Sequence, residues 1–130
     1  PVMLLVHPRT RIRLKKNNIK LEIITHNPLG YKETLFYLSK CMYVITDSGG
    51  LAREAYFAKK KSLFIYEKPV WPELNLENCS INSIPKLSNI LKSFARLKTL
   101  DGNFKNKIFG KGNAASIIVN KIDQHLKSNR

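Results

Sequence analysis

Residues 44–55 read VITDSGGLAREA and join a short apolar run to helix-forming residues through the turn Asp47-Ser48-Gly49-Gly50. A short apolar run bounded by turn residues is typical of a buried strand. The two glycines allow a tight turn, and the residues after them favour a helix. The stretch therefore predicts a strand, a turn and a helix, which is the repeating unit of a parallel α/β fold.

The same alternation extends outward in both directions along the chain. Residues 2–6 form a continuous apolar run that ends at His7-Pro8, which predicts a central parallel strand. Apolar positions recur every three or four residues over 31–41 and predict an amphipathic helix. The other predicted elements are strands over 19–25, 42–46 and 62–66, and helices over 10–18, 50–60, after Pro85, and over 114–126. We therefore expect a Rossmann-like, three-layer α/β fold with a parallel sheet.

The composition limits the class of protein. With 130 residues and 43% hydrophobic content, the chain is expected to form a single domain with a continuous core. No apolar run approaches the ~20 residues of a membrane helix, and the first residues lack the pattern of a signal peptide. We therefore expect a soluble, cytoplasmic protein without membrane contact. Cys41 and Cys79 show no metal-ligand spacing, so no metal site is predicted.

The charge is strongly positive, because 23 Lys and Arg residues oppose 9 acidic residues and give a formal net charge of +14. Such a charge favours phosphates, nucleic acid or anionic surfaces. Much of it is Lys scattered beside Asn and Ile, as over residues 15–20, so a solvated basic surface is the simpler interpretation. Basic and aromatic residues do not interleave as they do on single-strand platforms. Nucleic acid is therefore not the partner we expect first.

The turn that ends the strand at 42–46 is the candidate site. Ligands of open α/β sheets bind beyond the carboxyl ends of the strands, where Ser48, Gly49 and Gly50 fall. Glycines let a ligand approach the backbone, and the first N–H groups of a helix favour a phosphate. Glu54 lies four residues after Gly50 and could accept from both hydroxyls of a ribose. The residues alone leave open a plain corner, with Asp47 holding the turn, Ser48 capping the helix and Glu54 on the surface.

Further motifs occur in order over nearly the whole chain. They are His7-Pro8-Arg9-Thr10, Pro28-Leu29-Gly30-Tyr31, the stretch 44–55, Trp71-Pro72-Glu73 and the segment FGKGNA at 109–114. With these motifs the chain resembles the non-hydrolysing UDP-N-acetylglucosamine 2-epimerases. The resemblance implies a glycosyltransferase-B type fold, in which residues 1–130 are most of the C-terminal, UDP-binding domain. It also implies that the first strand of that domain and the whole N-terminal domain are absent from this sequence.

The resemblance assigns roles to individual residues. It implies that Ser48, Gly49 and Gly50 hold the diphosphate and that Glu54 binds the ribose, which agrees with the interpretation of the turn. It also implies that the segment 28–34, with Leu29 and Thr34, borders the uracil.

This sequence departs from the family's pattern in four places, one of which is Tyr66, where the family has an arginine-containing strand end. Thr34 stands where an aromatic residue is common, and Ala52-Arg53 replace the Gln-Glu that usually precede Glu54. Trp71 stands where an arginine near the phosphates is expected, and Lys68 could supply a charge there without the bidentate fork of an arginine. We expect Trp71 either to face the ligand or to pack as a core or domain-interface aromatic.

The activity implied by the resemblance is epimerisation at C2 of a UDP-sugar, through elimination and re-addition of UDP. The family's acid and base residues belong to the N-terminal domain, so no catalytic residue is assigned in this chain, which alone is expected to be inactive. The implied ligand is UDP or a UDP-N-acetylhexosamine, without a cofactor. The implied partners are the N-terminal domain and a second copy in a homodimer, and the implied setting is cell-surface polysaccharide biosynthesis.

Two other functions stay open at this point. The net charge of +14 and the residues at 52, 53, 66 and 71 allow a non-catalytic relic that binds nucleic acid or an acidic partner through its basic surface. A UDP-sugar glycosyltransferase of the same architecture is the second alternative.

Overall fold

The computed structural model describes residues 1–105 and 107–128, and in that part of the chain five strands alternate with six helices. The strands are β1 (Met3–Leu5), β2 (Ile24–His26), β3 (Tyr43–Thr46), β4 (Lys61–Ile65) and β5 (Ser80–Ser83). The helices are α1 (Pro8–Lys16), α2 (Tyr31–Lys40), α3 (Gly49–Phe57), α4 (Pro72–Leu76), α5 (Leu87–Thr99) and α6 (Ala114–Ser128). Every strand pair is parallel, so the predicted α/β class is confirmed.

The chain divides into two compact units, Pro1–Met42 and Tyr43–Arg130, which we call the first and the second unit. In the first unit β1 and β2 form a two-stranded sheet, with Leu5 opposite His26. Two hydrophobic side chains of this unit, Val6 and Leu38, are buried. The first unit therefore has a small core.

The second unit is built around a three-stranded sheet in the order β3-β4-β5. Successive residues of a strand point to opposite faces of its sheet. Accordingly, Phe64 of β4 packs with Ala52 and Tyr56 of α3, whereas its neighbour Leu63 packs with Leu97 of α5. Helices thus cover both faces of this sheet, as the three-layer prediction requires.

Three helices end in the same backbone motif, because α1, α3 and α4 are each followed by a residue with a positive φ angle. These residues are Asn18 at 53°, Lys59 at 57° and Asn78 at 55°. After each of them, the next N–H donates to a carbonyl in the last turn of the helix, for example from Lys60 to Ala55 at 2.8 Å. This pattern is the Schellman motif, which satisfies carbonyls that the helix end leaves unpaired.

Some predicted elements are displaced or were missed. The strand predicted over 19–25 begins only at Ile24, because the chain first leaves the Schellman turn of α1, where the Ile19 N–H donates to the Leu14 carbonyl at 2.9 Å. The segment after β4, for which no helix or strand was predicted, contains α4, with Pro72 in its first turn. Strand β5 was not predicted, since Ser80 and Asn82 interrupt its apolar pattern. None of the described helices is long and apolar enough to cross a bilayer.

Candidate functional site

The turn between β3 and α3 is held by two hydroxyl groups. The N–H of Ser48 donates to the Thr46 hydroxyl at 3.0 Å, and the Ser48 hydroxyl accepts from the N–H of Leu51 at 3.3 Å. Ser48 is therefore the N-cap of α3, as the cap alternative predicted. Sequence reasoning missed Thr46, which is buried at the end of β3, and gave its role to Asp47, which is exposed.

The two glycines of the turn have different surroundings. A Cβ atom at Gly49 would lie 3.1 Å from Cγ1 of Val70 and 3.4 Å from Nε1 of Trp71, so these side chains would have to shift slightly to make room for it. At Gly50 the nearest atom to such a Cβ is the Ser48 hydroxyl oxygen at 3.7 Å. Gly49 thus permits close packing of the protein on itself, whereas Gly50 leaves an exposed backbone that a ligand can approach.

Trp71 is fixed on several sides. Its Nε1–H donates to the carbonyl of Gly49 at 2.8 Å, and its ring meets Phe109 edge-on with centroids 5.4 Å apart. The guanidinium carbon of Arg53 lies 4.9 Å from the Trp71 ring centroid and 5.8 Å from that of Phe109. The half-buried indole packs against the core cluster of the second unit, which favours the packing alternative predicted for it.

Glu54 lies in α3, one helical turn after Gly50, and its side chain is half-buried. Within residues 1–105 and 107–128, neither a hydrogen bond nor an ion pair engages its carboxylate. The carboxylate oxygens are therefore available as acceptors for a ligand. Lys68 is exposed in the loop between β4 and α4.

Leu29 and Thr34 belong to the first unit, where they lie around the start of α2. Leu29 is half-buried and precedes the N-cap residue Gly30. The Thr34 hydroxyl donates to the Gly30 carbonyl at 3.0 Å, and the Glu33 carboxylate accepts from the Gly30 N–H at 2.9 Å. Both polar side chains thus stabilise the first turn of α2, and Thr34 has no ring with which to stack on a base.

The ionisable groups buried in the second unit are not suited to nucleophilic chemistry. Burial, and secondarily the charge of Glu77, raises the pKa of the Cys79 thiol to about 11, so the thiol stays protonated and unreactive near neutral pH. Burial also raises the pKa of Tyr56, with a smaller contribution from Cys79. The described residues contain no group of three or more His, Cys, Asp and Glu side chains that could hold a metal ion. What the turn offers is backbone donors, one hydroxyl and one carboxylate.

A sequence model of the family described as UDP-N-acetylglucosamine 2-epimerase matches residues 1–123. The chain belongs to this family. It is 33% identical over 123 residues to the UDP-2,3-diacetamido-2,3-dideoxy-D-glucuronate 2-epimerase of Pseudomonas aeruginosa, covering 92% of this chain and 34% of that protein. It is 32% identical over 125 residues to a UDP-N-acetylglucosamine 2-epimerase of Methanococcus maripaludis, covering 90% and 33%.

The fold is similar to that of solved epimerase structures. The structure of the Methanocaldococcus jannaschii UDP-GlcNAc 2-epimerase in complex with UDP-GlcNAc and UDP matches with a TM-score of 0.81 and 26% identity, covering 94% of this chain and 35% of that one. The chain thus spans about a third of the length of the relatives it matches. These matches confirm the resemblance and the Rossmann-like, glycosyltransferase-B type fold.

Proposed function

We propose that residues 1–130 are the UDP-sugar-binding domain of an isomerase that epimerises C2 of a UDP-sugar, as relatives named UDP-N-acetylglucosamine 2-epimerase do. One observation carries the proposal. In a chain of this family, an open glycine turn at the N-terminus of α3 lies one helical turn from a carboxylate that has no partner among the described residues. A solved member of the family is described with UDP-GlcNAc and UDP bound, which supports the same class of ligand for this chain.

The turn has the properties that a diphosphate requires. The first N–H groups of a helix have no partners within the helix and carry a partial positive charge, so Ser48, Gly49 and Gly50 would hold the phosphate oxygens. The net charge of +14 adds a field that attracts a dianionic nucleotide. The Glu54 carboxylate would accept from the ribose hydroxyls, since a carboxylate can accept from two donors at once.

The rest of the assignment extends this proposal. Leu29 and Thr34 would border the uracil, with backbone groups at Leu29 reading the base edge. The acid and base groups of the reaction would come from a second domain, so this chain by itself would bind a UDP-sugar without epimerising it. The homodimer, the N-terminal domain, a cytoplasmic location and a role in cell-surface polysaccharide biosynthesis stay predictions.

Titration calorimetry with UDP tests the proposal. We expect the chain to bind UDP and Glu54→Gln to bind it at least about tenfold more weakly, because a hydrogen bond to a charged group contributes about 1.5–3 kcal/mol. Glu22→Gln is the matched control, since it makes the same charge change at an exposed position of the first unit. Its affinity for UDP should equal that of the unaltered chain.

Two results would contradict the proposal. One is no heat of binding at millimolar UDP, and the other is equal affinity of the Glu54 and Glu22 variants. If the chain did not bind UDP but bound polyanions with a steep salt dependence, the result would instead support the alternative of a non-catalytic relic.

A further inference from the structure

We propose that Trp71 is a positioning residue for the diphosphate turn, held in place by Arg53 and Phe109. This inference rests on the proposed function, because it assigns a role in the binding of the diphosphate. The observation behind it is that the indole N–H, which could have pointed toward a ligand, donates to the carbonyl of Gly49 at 2.8 Å. Trp71 would therefore act on the ligand through the backbone of the turn.

The geometry of the peptide unit explains how this works. The carbonyl of Gly49 and the N–H of Gly50 belong to one planar, trans peptide and point in opposite directions. A donor that fixes the direction of the Gly49 carbonyl therefore also fixes the direction of the Gly50 N–H. That N–H is one of the first N–H groups of α3, which have no partner within the helix. We therefore infer that Trp71 orients a donor at an exposed residue of the turn.

The position of the indole is itself constrained. The guanidinium carbon of Arg53 lies 4.9 Å from the centroid of the Trp71 ring. The ring of Phe109 packs edge-on against the same indole, with the ring centroids 5.4 Å apart. A cation near the face of an indole is attracted by its negative π surface, and an edge-on aromatic pair is a preferred arrangement. On the remaining side the glycine at position 49 lets Trp71 approach the backbone, because a Cβ there would lie 3.4 Å from Nε1.

The placement of Arg53 and Phe109 connects three separate parts of the second unit. Arg53 comes from α3, Trp71 from the residue before α4, and Phe109 from the segment that precedes α6. Arg53 stands where the family resemblance implies an acidic residue, so the stack uses a side chain that departs from the expected pattern. Glu54, the next residue along α3, is not among the side chains of this stack.

The test removes only the indole N–H. The chain has a single tryptophan, so growth of a tryptophan auxotroph on 3-benzothienylalanine replaces Trp71 alone by an isostere with sulfur in place of N–H. We expect the affinity for UDP to fall about fivefold, the usual effect of one hydrogen bond, and the affinity for uridine to stay within about twofold. Trp71→Phe should also lower the affinity for UDP more than the affinity for uridine. Arg53→Met should lower the affinity for UDP by about twofold. Tyr37→Phe, which removes one hydroxyl group from an exposed aromatic residue of α2, should change neither affinity.

The comparison of UDP with uridine separates positioning from general stability. A merely structural role would lower both affinities in proportion, together with the thermal midpoint, and would overturn the inference. Equal UDP affinity of the isostere and the unaltered chain would also overturn it. If the unaltered chain bound no UDP, the proposed function would fail first, and that failure is visible before any variant is made.

Discussion

The two units differ in which atoms surround the glycine at the start of a helix. In the second unit, Gly49 is packed against a distant segment, with Val70 and Trp71 at contact distance of the position where a Cβ would be. In the first unit, the nearest described atom to the corresponding position at Gly30 is a carboxylate oxygen of Glu33 at 3.4 Å, three residues along the chain in the same helix. One turn is fixed by tertiary structure and the other by its own helix.

This difference follows from the packing of each unit. Buried residues of the second unit lie on both faces of β4, whereas in the first unit Val6 and Leu38 are the buried hydrophobic side chains among its described residues. If the turn holds a diphosphate as proposed, it needs donors in fixed directions, which a packed unit can provide. The base-binding role proposed for the segment 28–34 would be less demanding, and local helix caps at Gly30 would suffice for it.

Replacing a buried leucine in each unit should give the largest effect. We expect Leu63→Ala to lower the free energy of unfolding by about 3–4 kcal/mol, because the side chain is fully buried between β4 and α5 and leaves a cavity. Leu38→Ala should cost about 2 kcal/mol, the lower end for such substitutions, because its surroundings can collapse more easily. Urea unfolding measures both values.

Ile118→Ala on α6 is the control for that comparison, since its side chain is 57% exposed and its loss should change stability by less than about 0.5 kcal/mol. Equal costs at Leu63 and Leu38 would mean that the two units are equally well packed, which would contradict the difference between their cores.

The thiol of Cys79 should make the second unit sensitive to alkaline pH. Its pKa is raised to about 11, so the folded state keeps a proton that the unfolded chain releases near the ordinary value of 9. The contribution of this thiol to the stability of the fold is therefore fully present below pH 9 and is lost as the pH rises toward 11. When the pH is raised from about 8 to about 10.5, we expect the free energy of unfolding to fall by about 2 kcal/mol less in Cys79→Ala than in the unaltered chain.

Urea unfolding at the two pH values measures this loss. The cavity left by Cys79→Ala lowers stability by the same amount at both pH values, so the comparison of slopes removes it. Parallel slopes for the two proteins would show that the thiol titrates alike in the folded and unfolded states.

The smallest effect is expected at the helix ends. Lys59 adopts a φ of 57°, which costs a residue with a side chain about 1 kcal/mol, so Lys59→Gly should raise the free energy of unfolding by roughly that amount. Asn18→Gly in the first unit should gain only a few tenths of a kcal/mol, because asparagine tolerates this conformation. A gain at Asn18 as large as at Lys59, measured by urea unfolding, would contradict this explanation.

The elements that could be predicted from the sequence are those with a strong local pattern. Strand β4 and helix α3 lie within a residue or two of their predicted starts, because an apolar run and a glycine turn define them. Strand β5 could not be predicted in this way. Its buried Ser80 is satisfied by Ser62 of β4, whose hydroxyl lies 3.0 Å away and whose carbonyl accepts from Ser80 at 3.1 Å. A polar residue that is paired across a sheet breaks the local hydrophobic pattern without breaking the fold.

The candidate site shows the same division. The local sequence allowed Ser48 to cap α3 as one of two roles, and the structure shows this cap, which depends on a few neighbouring residues. The difference between the packed Gly49 and the open Gly50 was not predicted. The contact of Trp71 with Gly49 spans 22 positions, and the stack of Arg53 on Trp71 joins α3 to a loop. Contacts of this kind depend on the tertiary fold, so they follow from the structure and not from the motif.

The indole of Trp71 also reports on the turn through its fluorescence. It is the one tryptophan of the 130 residues, it is half-buried, and its N–H is hydrogen-bonded. Tyrosines contribute little when emission is excited at the red edge of the indole absorption, so the fluorescence of the whole chain then comes from a single place beside Gly49. The protein therefore carries its own unlabelled optical probe of the turn, whose brightness and colour follow the state of one peptide group.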